Sequence, residues 1–326
     1  MNIKFNNVYV EEVSTVAGPF VKDGPLKYDD IFEDFYDGED TFEKCEMKNL
    51  KNSIDILLKK SNKKEEDISF AVSADLMNQI TISNYVYEKF NIPFLGIYNA
   101  CASMSEGILI SSSILDKYKD KCAIISTSSH NMTSERQYRN PTEYGCQKPK
   151  TTTFTVTGAA SILLTNKKTD IKVTSATIGT VIDMGINDPF DMGSVMSPSA
   201  AYTLNKHLKE TNTKVSDYDL ILTGDLGLYG KELFKEYVKR EYDITINDNY
   251  NDSATMIYDY KDNVYAGGSG PACLPLVAYS YVIPKMKNKE LKKVLLIATG
   301  ALMSPTTVNQ KFSIPSISHA ICLEAV

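Results

Sequence analysis

Cys101 is the residue best placed to do chemistry. It follows an apolar run, Phe94 to Tyr98, after only Asn99 and Ala100, and it opens a segment of helical spacing rich in small residues: Ala102, Ser103, Ser105, Gly107 and Ser111 to Ser113. A thiol at a helix start meets unpaired N–H groups and the positive end of the helix dipole, which favours thiolate and can steady a developing oxyanion. A nucleophile would be set in this way. The competing reading is a small core residue, because free Cys is among the most often buried side chains, and spacing alone leans to the core.

Partners for such a thiol are few. The chain has three His. His130 stands just past the run Cys122 to Thr127, on the side of an α/β sheet where ligands bind, and either lines a cavity there or does not. His207 falls in a helical stretch, Ala200 to Lys209, and reads as a solvated helix residue. His319 lies beside Ala320 on the last strand, as a base or as a satisfied core residue; geometry must come before role. Arg136 and Arg139 are two of only three Arg in the sequence, three positions apart in a long loop. Planar forked cations suit a planar dianion; the alternative is surface pairing with Glu135 and Glu143, which is worth little. Asp75 and Asp225 each close a strand, as pocket residues or as caps that accept backbone N–H groups.

The elements that must position these residues alternate. Ile68–Ser73, Pro93–Tyr98, Cys122–Ser126 and Thr151–Leu164 read as strands, and about 43–60, 78–90 and 101–118 as helices. Strands separated by helices imply parallel pairing with right-handed crossovers. The second half repeats the order. Ala71–Leu76 has a counterpart in Ile221–Leu226, the helix opening at Ala100–Ala102 in one at Gly270–Cys273, Cys122–Thr127 in Val294–Thr299, and Phe154–Leu164 in Phe312–Leu323. Two similar α/β halves are expected, 1–168 and 169–326. Two irregular regions, Ser129–Lys150 and Ile186–Ser199, are long enough to be functional loops. Seven carboxylates between Asp29 and Asp40 surround Phe32, Phe35 and Tyr36 and read as an exposed acidic loop pinned by its aromatics.

Composition sets the class. At 326 residues with 43% hydrophobic and 23% charged residues, the chain has room for two domain-sized units and the balance of an ordinary globular protein. Its 35 basic and 41 acidic residues give a net charge of −6, which argues against nucleic acid as a partner. The N-terminal sequence lacks a basic stretch followed by an apolar run, so export is not expected. No apolar stretch reaches the ~18 residues of a membrane span. The six Cys lack short paired spacings, so neither a disulfide framework nor a zinc site is expected.

Asn99-Ala100-Cys101-Ala102-Ser103 resembles the nucleophile segment of the thiolase superfamily, and Ala266 to Ala272 resembles its glycine-rich loop. More closely, Ser73–Ile80, Ser128–Asn131, Glu135–Pro141 and Thr223–Gly227 are similar to the stage V sporulation protein AD family of spore-forming bacteria. The resemblance implies a thiolase-like α/β fold: two duplicated halves with mixed five-stranded sheets in a layered αβαβα arrangement. Thiolases and ketosynthases form an acyl-thioester on the Cys with His bases from the second half. Here the strand-end position where ketosynthases place a His reads Asp225-Leu226-Gly227, and the loop where thiolases carry another reads Gly267-Gly268-Ser269-Gly270. The resemblance therefore implies a ligand site without those bases: a protein that binds pyridine-2,6-dicarboxylate (dipicolinate) and helps move it, with calcium, into the developing spore. It implies no cofactor beyond calcium accompanying the ligand, a peripheral place on the cytoplasmic face of the forespore membrane, membrane proteins of the same operon as partners, and a homodimer paired through the strand beside the nucleophile. Cys101, His130, Arg136, Arg139, Asp75, Asp225 and His319 are the ligand-site candidates. An acyltransferase using Cys101, and a scaffold for membrane partners, stand as alternatives.

Overall fold

One strand order occurs twice. The computed structural model describes residues 1–21, 24–138, 148–259 and 264–326. The first half supplies β1 (Tyr9–Ala17), β2 (Phe70–Ala74), β3 (Phe94–Gly96), β4 (Cys122–Ser129) and β5 (Gly158–Thr165). The second supplies β6 (Ile171–Thr177), β7 (Leu220–Thr223), β8 (Tyr250–Asp252), β9 (Lys293–Ala301) and β10 (Ser316–Ala325). The spatial orders are β1-β5-β4-β2-β3 and β6-β10-β9-β7-β8. In each, the first two neighbour pairs are antiparallel and the last two parallel. The sheets touch edge to edge where Tyr9 pairs with Lys172.

Strand side chains alternate between faces, and here the two faces feed different cores. Ala123 and Ile125 of β4, with Ile162 and Leu164 of β5, point into a central core shared with Leu222, Leu296 and Ala298 of the second half. Ile124 and Leu163 point outward beneath the helix α1 (Phe42–Ser61), against its Leu50, Ile54 and Leu57. Leu295 and Ile297 do the same beneath α5 (Met192–Thr211) and α6 (Gly227–Tyr242). The sandwiched layer holds α3 (Ser103–Leu115), which follows the short helix α2 (Thr81–Tyr87), and, after α4 (Asn131–Tyr138) and α7 (Ala254–Ile257), the helix α8 (Cys273–Val277). The small residues of α3 allow this: a Cβ on Gly107 would lie 2.6 Å from Ile125 Cγ2.

The outer helices α1 and α5 each run 20 residues and end on an Asn in the left-handed region, Asn62 and Asn212. Each is followed by a turn with the same side-chain bond, Lys64 N–H to the Asp67 carboxylate and Lys214 N–H to the Asp217 carboxylate, 2.8 Å in both. The α5 helix corrects the expectation of an irregular stretch over 186–199. It begins at Met192, where the Asp191 side chain accepts the Ser194 N–H. Gly193, Ser197 and Pro198 read as breakers in sequence, yet α5 crosses α6 here, and a Cβ on Gly193 would lie 2.8 Å from Gly230 Cα. The same helix corrects His207. It is fully buried, with Nδ1 2.8 Å from Thr177 Oγ1 and Nε2 2.8 Å from the Tyr218 hydroxyl. Burial, then Lys293, pushes its imidazole down to about 4.

The expected strand Thr151–Leu164 is two elements. Phe154–Thr155 pairs in parallel with Gly268–Ser269 from the other half, and β5 begins only at Gly158. That small ribbon brings the glycine-rich loop to the seam between the halves. The acidic loop is as expected: Phe32 is buried, Phe35 packs against Phe154, Phe20 and His130, and Tyr36 stacks on Phe42. No helix among the described residues is long and apolar enough to cross a membrane.

Candidate functional site

Cys101 sits on a strained turn. Between β3 and α3 the chain passes through Ala100 with φ of +48°, a region that residues with a Cβ rarely occupy. A single helical turn, Ala100–Ala102, then leads into α3. Ala100 and Ala102 are buried, whereas Cys101 is half-exposed. The turn is gripped from both halves. The Asn99 N–H donates to Ser103 Oγ at 3.1 Å, and the Asn99 side-chain amide lies 2.8 Å from His319 Nε2. From the other half, Gly300 of β9 packs so close that a Cβ there would stand 2.5 Å from the Asn99 carbonyl oxygen.

The cavity over Cys101 is a small one of about 40 Å³ that opens to solvent. Apolar side chains line most of it: Leu76, Tyr98, Met192, Met196 and Met303, with Ser134, Thr155 and Ser269 supplying hydroxyls. None of the described lining residues is Lys, Arg or His. Two of the methionines come from α5, which presents Met192 and Met196 one turn apart. Their spacing was visible in the sequence, but reading 186–199 as a loop hid it.

Asp225 lies against the thiol. It closes β7 with φ of +67°, is 1% exposed, and accepts the Gly270 N–H on Oδ2 at 2.8 Å. The Cys101 and Cys273 thiols both hydrogen-bond to its carboxyl. Its Oδ1 is buried and makes no bond of good geometry. Burial first, then the neighbouring Asp252 carboxylate, pushes Asp225 up to about 8, against the opposing pull of the Cys101 thiol and the Gly270 N–H. Near neutral pH it is mainly a carboxylic acid. In that form the carboxyl beside Cys101 is a hydrogen-bond donor.

Asp75, the counterpart of Asp225, does something else. Its Oδ1 accepts the Met77 N–H at 2.8 Å, and its Oδ2 accepts both the N–H and the hydroxyl of Ser83 at 2.8 Å. It is the cap of a turn, and only its neighbour Leu76 reaches the cavity. His319 is likewise occupied. Nδ1 accepts the Gly179 N–H at 3.0 Å, and Nε2 lies 2.8 Å from the Asn99 side-chain amide nitrogen. Burial, then Lys206, pushes it down to about 4, so it is a neutral support for the Cys101 turn. His130 is buried in the aromatic cluster, with Nε2 2.8 Å from the Phe35 carbonyl oxygen and Nδ1 accepting the Met132 N–H; it is not a lining residue. Arg136 belongs to α4 and not to a loop, two residues beyond the lining residue Ser134. Arg139 lies outside the described residues.

Helix α4 is anchored by a carboxyl that the sequence reading missed. Glu46 of α1 is 1% exposed and accepts the hydroxyls of Ser128 at 2.9 Å and Thr133 at 2.8 Å. Burial, then Asp75, pushes it up to about 8. No group of carboxylates, thiols and imidazoles among the described residues is arranged to hold a metal ion.

A sequence model of stage V sporulation protein AD (SpoVAD) matches residues 2–324. Stage V sporulation protein AD of Bacillus subtilis (strain 168) is 41% identical over 319 residues, covering 97% of this chain and 94% of that protein. Among solved structures, a variant of Xanthomonas campestris OleA superposes with a TM-score of 0.65 at 12% identity, covering 99% of both chains. The 3-oxoacyl-[acyl-carrier-protein] synthase III of Aquifex aeolicus VF5 gives 0.57 at 10% identity, covering 97% of this chain and 99% of that one. At such identities these likenesses speak to the fold alone, which is thiolase-like. The chain belongs to the stage V sporulation protein AD family.

Proposed function

We propose that the cavity over Cys101 binds dipicolinate, and that the protein serves spore formation by helping to deliver this ligand, with calcium, across the forespore membrane in company with membrane proteins of the same operon. The observation that carries this reading is the exchange at the heart of the fold: the cavity and its thiol are kept, and a buried Asp225 stands beside Cys101 where an acyl-transferring relative needs an imidazole. The lining suits a flat heteroaromatic ring. Tyr98 and the thioethers of Met192, Met196 and Met303 offer faces and polarisable sulfur. Ser134, Ser269 and the N–H groups of the Cys101 turn offer donors to carboxylates. The family resemblance adds Arg136 as a candidate forked cation for a ligand carboxylate.

Calorimetric titration with dipicolinate, with and without calcium, tests the reading on the wild type, Cys101→Ala and Arg136→Ala. Saturable binding that weakens about tenfold or more in either variant supports it, since losing one half of a charge-assisted bond costs on the order of 1.5–3 kcal/mol. The second reading, acyl transfer, rests on the retained Cys101 turn. Intact-mass analysis after exposure to acyl-coenzyme A decides it: an adduct on Cys101 favours transfer, and none with any chain length sinks it.

A further inference from the structure

Resting on the reading of this cavity as a dipicolinate site, we propose that Asp225 is the acidic half of an acid–carboxylate pair: it keeps its proton on Oδ1 and donates it in a hydrogen bond to a carboxylate of the ligand. The geometry comes first. Oδ2 is committed, accepting the Gly270 N–H at 2.8 Å, so the proton belongs on Oδ1, which is buried and has no partner of good geometry. A hydroxyl proton buried without an acceptor costs free energy that an incoming carboxylate removes. Both neighbours that shield Asp225 at this end, Cys101 and Gly270, line the cavity. Asp225 itself lies behind these two and is not a lining residue, so in this proposal a ligand carboxylate reaches Oδ1 by displacing the Cys101 thiol from beside the acid.

The surroundings explain why the acid and not the carboxylate is present. The groups facing Asp225 are the Cys101 thiol before α3, the Cys273 thiol opening α8, the Asp252 carboxylate at the end of β8 and the Gly270 N–H. No cation is among them, and Asp252 is an anion that discourages a second charge. Among the described lining residues no Lys, Arg or His offers a carboxylate an ion pair. An O–H···O⁻ bond to a charged acceptor is about twice as strong as a neutral one. It lets the floor of the cavity hold one of the two ligand carboxylates without a cation beside that group. Two buried carboxyls that share one proton also make the site selective for carboxylates over neutral pyridines, which offer no charged oxygen to Oδ1.

The consequence is a pH limit on binding at the alkaline side, set by loss of the Asp225 proton. The test is dipicolinate affinity from about pH 6 to about pH 10 in a Cys101→Ser background, which removes any ionisation of the thiol, for Asp225, Asp225→Asn and Asp225→Ala. With Asp225 present, affinity should be flat to about pH 8 and then fall about tenfold per unit. Asp225→Asn, a donor that cannot ionise, should bind with little change across the range, and Asp225→Ala should bind at least tenfold more weakly throughout. Binding that shows no alkaline loss, or that is lost equally in Asp225→Asn, overturns the acid–carboxylate pair and leaves dipicolinate binding standing. No binding by the wild type at any pH overturns the site reading itself. Independently of binding, the infrared difference between wild type and Asp225→Asn, in which the Glu46 carboxyl cancels, should show a protonated carboxyl near neutral pH that titrates away at about pH 8; its absence also overturns the proposal.

Discussion

Asp225→Asn should stabilise the protein, and increasingly so as pH rises. The native state holds a proton on this carboxyl up to about 8, whereas an unfolded aspartate gives it up near 3.8. Between those limits the folded chain binds more protons than the unfolded one, so this group makes stability fall with pH, by up to about 1.4 kcal/mol per unit. Over the whole window the ceiling is about 6 kcal/mol, and relaxation around a fully buried group will reduce it. The amide can repeat the essential contact, its oxygen accepting the Gly270 N–H, and carries no charge to bury. Urea unfolding at a series of pH values from about 5 to about 9 gives the free energies of both proteins. Glu46 and Asp252, pushed up to about 8 and about 6, titrate in both proteins and largely cancel in the difference. The expected result is a difference that grows by roughly 2–4 kcal/mol between about pH 5 and about pH 8 and then levels off. Parallel curves, or an Asn variant destabilised equally at all pH values, would show that Asp225 is ionised in the folded protein and would refute the argument.

Three further outcomes follow from the packing. Gly300→Ala places a methyl 2.5 Å from the Asn99 carbonyl oxygen and 3.1 Å from the Ala102 nitrogen; it should cost about 1–3 kcal/mol of stability and weaken ligand binding with it, and unchanged affinity would mean the Cys101 turn is not held from the second half. His207→Phe takes one bond each from the buried Thr177 and Tyr218 hydroxyls, so denaturant midpoints should drop by about 1–3 kcal/mol equivalent while dipicolinate affinity stays the same; a change within ~0.5 kcal/mol would restore the surface reading. The edge strand β3 and the turn after it leave Leu95 45% and Tyr98 43% exposed, and a second copy paired along this edge is expected to cover them; sedimentation of a 36.3 kDa species at micromolar protein would rule the dimer out.

Much of the fold was legible because it is written twice. A strand ending in a small residue and Asp is common in α/β chains, but four paired features in the same order are not, and they placed β2 with β7, β4 with β9, and β5 with β10. What escaped was written in small residues. The α5 start was hidden because Gly193 and Pro198 look like a loop unless one knows that Gly230 will pack against the first of them. His207 looked solvated because helical spacing alone cannot say which face a neighbouring sheet will cover, and Thr177 and Tyr218, its partners, are far from it along the chain or across a turn. In the site, Cys101 and the glycine-rich loop were visible as local motifs. Ser134 and Met303 were not, since a cavity wall assembled from separate elements has no sequence signature, and the helical spacing of Met192 and Met196 was masked by the loop-like residues around them.

The contrast between Asp75 and Asp225 shows how a duplicated fold makes one site from two equivalent positions. Both close the strand next to the sheet edge, and in the first half Asp75 receives the Met77 N–H that opens the following turn. In the second half the corresponding N–H, that of Gly227, goes elsewhere: Asp252, at the end of the adjacent strand β8, accepts it at 3.0 Å together with the N–H groups of Leu226 and Ala254 and the Thr223 hydroxyl. With the capping taken over, Asp225 is released from structural duty and held at positive φ against Cys101. The same substitution fixes its protonation, because Asp252 supplies the nearby negative charge that, after burial, keeps Asp225 neutral. Asp252→Asn should therefore do two separable things. Loss of carboxylate acceptance at the Leu226, Gly227 and Ala254 N–H groups weakens the α6 start, and removal of its charge lowers the pH at which Asp225 ionises. If the alkaline limit of ligand binding moves down by a fraction of a unit in this variant while it stays in place in Glu46→Gln, the two aspartates act as one electrostatic unit; if neither variant moves it, the limit belongs to another group.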